Sequence, residues 1–382
     1  MTMARHSAYL LLISVAVLVS VGLVMLSSVS AFAPANNGDT LFFVKRQALA
    51  LALGLAACVV MARWDYHHWM RLGWWMLGIA ALLMLACFLP VIGAGKVKGA
   101  YRWLDLGPLN FQPVEALKLS FIAVLSWWLG AHAKTIGTFR DGFAVPMAAL
   151  GAAVGLCVLQ EDLGTSAVLV LLAFLLMFVA GTRWRYIAPL PIVGLAGILL
   201  IALAMPQRRA RLLAFLDPEA HKDGVGHQAW QALIAIGSGG LSGIGLGESR
   251  QKMFYVPEAH NDFIFPIIGE ELGLIFTLGV VLFFLLFCLS GGYIACHAPD
   301  STGMLLGLGV TCAIALQAAL NIAVVTSMVP TKGIGLPFIS YGGSNILYCF
   351  IGIGILLNIH RQAAYAPARA RGFLPPPQMA RM

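Results

Sequence analysis

The residue best placed to do chemistry in this sequence is Asp262, which stands where a long polar loop meets an apolar run beginning at Phe263. Partial burial of a carboxylate favours proton uptake, so such a group can act as a general base. Asp is also a preferred N-cap residue, so Asp262 could instead cap the helix that follows. If Asp262 is not the base, Glu258 and His260 in the same loop are the next candidates.

Two further carboxylates, Glu270 and Glu271, follow in the same apolar run, about two helical turns after Asp262. Charged groups inside a membrane helix need partners. We expect Lys118 or Lys332 to supply the opposite charge.

Upstream of Asp262, the glycine-rich stretch 243–247 runs into Arg250 and Lys252. Glycines let backbone N–H groups approach an anion closely, and the two cations would add charge. Glycines also serve tight turns, so the pattern leaves both interpretations open. We predict that Arg250 and Lys252 contact an anionic substrate.

The stretch 102–118 contains a second group of charges, which includes Arg102, Glu115 and Lys118. Pro113 is typical of the first position of a helix, and Glu115 then lies in the first turn, where a carboxylate suits the helix dipole. Glu115 and Lys118 are three residues apart and share a helix face. They are either a functional pair in a membrane cavity or a structural ion pair that fixes the helix.

Two more polar stretches lie between apolar runs, at 160–165 and 330–344. In the first, Asp162 can cap the next helix, or Glu161 and Asp162 together can hold a divalent cation. The second is rich in Pro and Gly, which break helices, so we predict an irregular loop at membrane depth. Its Lys332 and backbone amides, with the hydroxyl at 340, would suit a phosphate if the loop lines a cavity rather than simply packing.

These stretches are set in a chain of 382 residues that is 60% hydrophobic and only 10% charged. Soluble domains are roughly a quarter charged, so this chain must use the bilayer as its solvent. Continuous apolar runs of about 20 residues favour membrane-spanning helices over barrel strands. We predict an all-α polytopic membrane protein with about ten transmembrane helices, at 9–32, 42–62, 70–92, 113–131, 144–160, 164–180, 186–205, 264–290, 302–326 and 341–360.

The distribution of Lys and Arg predicts that both termini are cytoplasmic. In that orientation the inner side holds 11 basic and 3 acidic residues, and the outer side holds 13 of each. Six of the outer basic residues lie in the long loop 206–263, which the rule discounts, so 11 inner basic residues stand against 7 outer ones. The net charge of +8 then faces anionic membrane lipids and is not a nucleic-acid footprint. We predict one transmembrane domain, 1–362, with a large periplasmic loop, 206–263, between helices 7 and 8. Residues 363–382 form a basic, Pro-rich cytoplasmic tail that we expect to be disordered.

The four polar stretches, in this order on a ten-span chain, resemble the SEDS family (shape, elongation, division and sporulation). The motifs are RWLxLG…QPxExxKL, DLGT, the GLG-to-PEAHxDFIFxxIGEELG block and PTKGxxLPFxSYGGS, and they cover nearly the whole chain. Within the family, SRQK at 249–252, PEAH at 257–260 and PTKG at 330–333 are similar to the division branch, the FtsW-like proteins. Two positions depart from the common pattern: Val114 replaces the Ser of QPSE, and Glu161 replaces the Pro of PDLGT.

The resemblance implies a peptidoglycan glycosyltransferase of the inner membrane that polymerises lipid II on the outer face during cell division. Lipid II is a disaccharide-pentapeptide on undecaprenyl pyrophosphate. The resemblance places the family's essential aspartate on Asp262 and central-cavity positions on Arg102, Glu115 and Lys118. It also implies a class B penicillin-binding transpeptidase as partner, together with other division proteins and the membrane lipids.

In such a reaction Asp262 would take the proton of the acceptor hydroxyl, and undecaprenyl pyrophosphate would leave. Cations should gather where the charge of the leaving group develops, and a magnesium or manganese ion could assist, although the sequence fixes no cofactor. The predicted substrate-binding residues are Arg102, Glu115, Lys118, Arg250, Lys252, His260, Lys332 and Ser340.

Two other functions are compatible with a polytopic chain of this kind. A flippase or transporter of lipid II would place functional charges near mid-membrane and on both faces, whereas the charged motifs here lie on the outer side. A scaffold for division proteins would not need Asp262. Polymerisation of lipid II by the purified protein with its partner would distinguish these alternatives from the enzyme.

Overall fold

The computed structural model describes residues 2–30, 39–96, 100–105, 110–204, 206–217, 219–252 and 260–365. Fourteen helices make up most of this part of the chain, together with one two-stranded antiparallel hairpin in which Leu104 pairs with Phe111. The helices are α1 Thr2–Ser30, α2 Phe42–Arg63, α3 Tyr66–Arg71, α4 Gly73–Ala86, α5 Pro113–Ala131, α6 Val145–Leu159, α7 Leu163–Val179, α8 Trp184–Ile187, α9 Pro189–Ala204, α10 Pro206–Leu216, α11 His227–Ser238, α12 Ile264–Cys296, α13 Ser301–Val325 and α14 Gly343–Tyr365; the strands are β1 Leu104–Asp105 and β2 Asn110–Phe111.

Seven helices in the described residues are long and apolar enough to cross a membrane: α1, α2, α5, α6 with the π-helical turn before it, α12, α13 and α14. Helices α4 and α7 are apolar but shorter. Each of the ten predicted spans contains one helix of the structure, with α9 in the seventh span, so the all-α polytopic fold is confirmed. Helices prevail because they satisfy every backbone hydrogen bond within one segment.

The structure differs from the sequence prediction in several places, including the start of α1 at Thr2 rather than 9 and the end of α12 at Cys296 rather than 290. Helix α4 ends at Ala86 rather than near 92, because turns that include Pro90 follow it and Gly93 then pairs with Leu104 in an isolated β-bridge. The 206–263 loop contains two helices, α10 and α11. Helix α14 continues to Tyr365, three residues beyond the predicted domain end, and the rest of the tail lies outside the described residues.

Helix α5 lies at the centre of the bundle and is buried along most of its length. Around it pack α4, α13 and α14, while α14 also lies along α2 and α1 lies along α12. Helix α12 is broken at Gly273, whose φ of 79° and ψ of 178° are not helical. The break separates a buried first part from a longer second part that carries several exposed apolar residues, including Leu274, Ile275 and Leu282.

Helix α1 touches the irregular segment between α13 and α14 directly. A Cβ atom added at Gly22 would lie 2.8 Å from the Cα atom of Ile339. Real Cβ contacts are longer than this, so only glycine allows α1 to approach the backbone here. The polar segment is therefore covered by a membrane helix on this side.

At the end of the bundle where α13 begins, His67 lies between two carboxylates. Its Nδ1 is 2.7 Å from Asp65 Oδ1, and its Nε2 is 2.8 Å from Asp300 Oδ2. Burial lowers the pKa of His67, but the hydrogen bonds and negative charges of the two carboxylates outweigh burial and raise it overall. We call Asp65, His67 and Asp300 the His67 cluster.

Candidate active site

Asp262 is half-buried at the end of the bundle opposite the His67 cluster. The N-cap position of α12 is occupied by Phe263, so Asp262 stands one residue before the cap. The alternative that Asp262 is the N-cap of this helix is therefore wrong. The alternative base Glu258 lies outside the described residues.

The backbone around Asp262 is held by three donors from other elements. The carbonyl oxygens of residues 260–262 each accept one hydrogen bond: the first from Tyr341 N at 2.9 Å, the second from Ser340 Oγ at 2.6 Å and the third from Asn321 Nδ2 at 2.8 Å. Three consecutive fixed carbonyls leave this short segment little conformational freedom. Helix α13 and the segment that precedes α14 thus fix the backbone from which the Asp262 side chain extends.

That preceding segment, 329–342, has no helix or strand, as predicted for an irregular loop. It is buried at Leu336, Phe338 and Ser340, so it packs inside the protein. Gln47 of α2 closes its far end, because Nε2 donates to Ser340 O at 3.1 Å and Oε1 accepts from Gly342 N at 3.1 Å. The packed-loop alternative therefore describes most of the segment, while Lys332 near its start is half-buried.

Two amide side chains of α13 hold the middle of this segment, and sequence reasoning missed both. Asn321 Nδ2 donates to Ile334 O at 2.6 Å. Gln317, one turn earlier, donates from Nε2 to Gly335 O at 3.0 Å. The available signal was two amides four residues apart on one face of an apolar membrane helix, where a polar group requires a partner.

Glu115 and Lys118 form the ion pair that their spacing predicted. Lys118 Nζ lies 2.7 Å from Glu115 Oε2, and both side chains are buried. The ammonium also donates to Gln317 Oε1 at 2.6 Å and lies 4.3 Å from the centre of the Tyr348 ring. In this conformation the pair joins α5 to α13 and α14.

The buried partner of Glu271 is Lys252, not Lys118 or Lys332 as the sequence suggested. Lys252 Nζ is 2.8 Å from Glu271 Oε1, and both side chains are fully buried. Ser28 of α1 completes the group, because its hydroxyl donates to Glu271 at 2.8 Å and accepts from Lys252 at 2.8 Å. The predicted substrate ligand Lys252 is therefore engaged within the protein in this conformation.

The glycine-rich stretch before Lys252 does direct backbone amides at an anion, but the anion belongs to the protein. Gly247 N donates to Glu271 Oε2 at 3.0 Å, and Arg250 N donates to Glu270 Oε1 at 3.2 Å. Ser249 Oγ also donates to Glu270. The stretch thus anchors the long loop to α12 and leaves the Arg250 side chain exposed.

Arg102 holds the turn between α6 and α7. Its Nε donates to Gln160 O at 3.2 Å and its Nη2 to Glu161 O at 2.5 Å. Asp162 caps α7 by accepting from Thr165 N at 3.2 Å, which confirms the capping prediction. Glu161 has a φ of 59°, a conformation that proline cannot adopt, so the turn here differs from one built on the proline common in the family.

Among the described residues next to Asp262 and Gly333 in the chain, His260 and Lys332 are half-buried. The His260 ring stacks on Phe43 of α2 with 4.3 Å between ring centres. Among the described residues, no group of three or more His, Cys, Asp or Glu side chains is placed to hold a metal ion. The arrangement offers a carboxylate on a fixed backbone, with an imidazole two residues before it in the chain and an ammonium on the residue before Gly333, which lies against the carboxylate; such a set suits proton transfer next to an anion.

These features define a class, the multi-pass helical membrane proteins with a fixed polar site at one membrane face. Residues 8–365 match the family model for FtsW, RodA and SpoVE, described as "Cell cycle protein". The chain is 38% identical over 364 residues to a probable peptidoglycan glycosyltransferase FtsW of Geobacter metallireducens, covering 95% of this chain and 96% of the relative. It is also 38% identical over 373 residues to stage V sporulation protein E of Bacillus subtilis, covering 96% and 100%. The chain belongs to this family, the SEDS family.

Solved structures show the same fold. One is described as "Structural coordination of polymerization and crosslinking by a peptidoglycan synthase complex"; its chain is 27% identical, with a TM-score of 0.76, covering 92% of this chain and 97% of that one. The rod shape determining protein RodA of Thermus thermophilus is 26% identical, with a TM-score of 0.66, covering 92% and 96%. The resemblance drawn from the motifs is confirmed.

Proposed function

We propose that this protein is a peptidoglycan glycosyltransferase that polymerises lipid II on the outer face of the cytoplasmic membrane during cell division. The observation that carries the proposal is the half-buried Asp262 on a fixed backbone, in which the carbonyls of residues 260–262 each accept a hydrogen bond from α13 or the 329–342 segment. A relative of 38% identity over nearly the whole chain is named a probable peptidoglycan glycosyltransferase.

In the proposed reaction a sugar hydroxyl of the acceptor attacks the anomeric carbon of the donor. Asp262 takes the hydroxyl proton as the new carbon–oxygen bond forms. The bond from the anomeric carbon to the pyrophosphate oxygen breaks, and undecaprenyl pyrophosphate leaves with the electron pair. Lys332 and Arg250 are the cations near the surface that would stabilise the developing charge.

The predicted substrate-binding residues fall into two groups. Arg250 is exposed and Arg102, His260 and Lys332 are half-buried, so we propose that these four contact lipid II in the conformation described. The remaining four are buried in contacts within the protein and would reach substrate only if the helices separate: Glu115, Lys118, Lys252 and Ser340.

A divalent cation at this site would take most of its ligands from the substrate. The described residues offer no cluster of three metal-ligating side chains, whereas a pyrophosphate supplies several oxygen ligands of the kind that magnesium prefers. Magnesium or manganese would then neutralise the leaving group.

We further propose that both termini are cytoplasmic and that the 206–263 loop is periplasmic, on the charge distribution given above. The partner would be a class B penicillin-binding transpeptidase, which cross-links the new glycan alongside other division proteins. The support is the fold shared with a chain of a peptidoglycan synthase complex that coordinates polymerization and crosslinking.

Asp262→Asn tests the base directly. The change is nearly isosteric and removes the charge and the ability to accept the proton, so glycan polymer should fall about 100- to 10,000-fold. The assay follows product length from lipid II with the purified protein and its transpeptidase partner, at matched amounts of folded protein. Asp141→Asn, at a carboxylate in the π-helical turn before α6, is the control and should retain full activity.

The same variant distinguishes the proposed enzyme from the two alternatives, a scaffold and a flippase. A scaffold would tolerate Asp262→Asn in cells, and a flippase would move lipid II without making polymer. Near-normal polymer from Asp262→Asn would remove this residue from the mechanism, and absence of polymer from the wild-type complex would contradict the proposed activity.

A further inference from the structure

We propose that Asn321 is a positioning residue for Asp262 and that Gly333 provides the space in which the Asp262 carboxylate lies. This inference rests on the proposed function, because it concerns the placement of the base. It adds two residues to the site, neither of which bears a charge.

Asn321 is buried, with 1% of its surface exposed, near the end of α13. Its Nδ2 group donates both hydrogens, one to Asp262 O at 2.8 Å and one to Ile334 O at 2.6 Å. Both partners are carbonyl oxygens, so only the nitrogen can face them and the amide orientation is determined. One side chain thus joins the backbone of the base to the 329–342 segment.

Gly333 lies beside Ile334 and faces the Asp262 side chain. A Cβ atom added at Gly333 would lie 2.7 Å from Asp262 Oδ2. Real Cβ contacts are longer, so a methyl group there would displace the carboxylate. The displaced group is the end of a flexible side chain, so the carboxylate would move while the backbone stayed in place.

The two residues therefore act on one coordinate, the distance between the carboxylate and the substrate hydroxyl. Asn321 fixes the backbone from which the Asp262 side chain extends. Gly333, which has no side chain, leaves room for the Asp262 carboxylate. A general base works only within hydrogen-bond reach of its proton, and a displacement of about 1 Å can reduce the rate about 100-fold. Substrate affinity depends mainly on other groups, so the effect should appear in kcat more than in KM.

The first test replaces Asn321 by leucine, which has a similar shape and no hydrogen-bond donor. Asn358 on α14 supplies a matched control: it is fully buried, and its Nδ2 donates to Ala62 O at 2.9 Å at the other end of the bundle. Both variants lose a buried amide and should destabilise the protein to a similar degree. At equal amounts of folded complex, Asn321→Leu should lower kcat on lipid II about 10- to 100-fold, and Asn358→Leu should leave it within about twofold.

The second test, Gly333→Ala, does not depend on tolerance of a core substitution, because Gly333 is exposed. It should fold normally and lower kcat at least about tenfold with little change in KM. Gly343→Ala is its control, since an added Cβ there would meet only Ala50 Cβ, at an ordinary 3.5 Å. If Asn321→Leu does not fold, the comparison of Gly333→Ala with Gly343→Ala tests whether the placement of the Asp262 carboxylate sets kcat.

Wild-type activity and Asp262→Asn are measured in the same series. Active wild type, inactive Asp262→Asn and normal kcat in both Asn321→Leu and Gly333→Ala would overturn the positioning role and leave the proposed function standing. Equal loss in Asn358→Leu and Asn321→Leu would assign the loss to general destabilisation and also overturn it. Inactive wild type would contradict the proposed function itself.

Discussion

Glu271→Gln should be among the most destabilising near-isosteric changes in this protein. The substitution keeps the shape of the side chain and removes its charge. The Lys252 ammonium donates to Glu271 Oε1 at 2.8 Å, Ser28 Oγ at 2.8 Å and Gly247 O at 2.6 Å. Of these three acceptors the Glu271 carboxylate carries the charge, so Glu271→Gln removes a counterion that pairs with a fully buried ammonium.

The expected loss follows from the charge that stays in the interior. Breaking a buried ion pair by removing one partner costs about 3–5 kcal/mol. We therefore expect a loss of about 4 kcal/mol for Glu271→Gln.

Lys252→Met should cost less, about 1–3 kcal/mol. Glu271 would keep the Ser28 hydroxyl at 2.8 Å and the amide of Gly247 at 3.0 Å, both of which stabilise a carboxylate. The double variant, Lys252→Met with Glu271→Gln, should lose about 1–3 kcal/mol less unfolding free energy than the two single variants lose together, because it removes both charges.

Equilibrium unfolding in mixed micelles, followed by the fluorescence of the nine tryptophans, measures these differences. Ser290→Ala on the distal half of α12 is a suitable control, since its hydroxyl bonds only within its own helix in the described structure. A Glu271→Gln protein within about 0.5 kcal/mol of wild type, or strictly additive single losses, would refute the reasoning.

Three further predictions concern other parts of the chain. Glu115→Gln should destabilise more than Lys118→Met in the same unfolding assay, because it leaves the buried Lys118 ammonium without its carboxylate; equal losses in the two variants would contradict this account. The carboxylates of the His67 cluster raise the pKa of His67 above its ordinary value of 6.5, so its stabilising contribution is present below that value and is lost as pH rises through the folded pKa. The melting temperature difference between wild type and His67→Gln should therefore shrink between pH 6 and pH 9, and a constant difference would argue against the charged bridge. An impermeant thiol reagent should label a cysteine placed at His221 in intact cells and spare one placed at position 369; the opposite pattern would invert the topology.

The long apolar helices were predictable because each apolar run is long enough to determine its own conformation, whereas α10 and α11 lie in a segment predicted as a loop. The cap at Asp162 and the ion pair of Glu115 with Lys118 were predictable for a related reason, since both depend on residues three positions apart in one helix. Local geometry fixes such contacts without knowledge of the rest of the fold.

The contacts that depend on how distant segments meet were not predictable. Glu271 pairs with Lys252 because Gly243 and Gly273 let the loop and the broken helix approach at backbone distance, which no local pattern specifies. Asn321 and Gln317 stood out only as polar residues in an apolar helix, and their acceptors lie on a segment without secondary structure. Side-chain partners of this kind follow from tertiary packing, not from spacing.

The 329–342 segment also constrains how the protein is built in the membrane. Each unsatisfied backbone group costs several kcal/mol in hydrocarbon, so the segment cannot settle among lipids as α13 and α14 leave the translocon. The carbonyl oxygens of residues 334 and 335 accept hydrogen bonds from side chains of α13, the helix that directly precedes the segment. The carbonyl of residue 340 and the amide of residue 342 are paired only when Gln47 of α2 contacts them. The segment must therefore stay at the water interface until α14 docks on α2, which makes the surroundings of Asp262 a late product of assembly. A nascent chain that ends before α14 would contain every charged motif up to residue 333, but the surroundings of Asp262 would not yet be ordered.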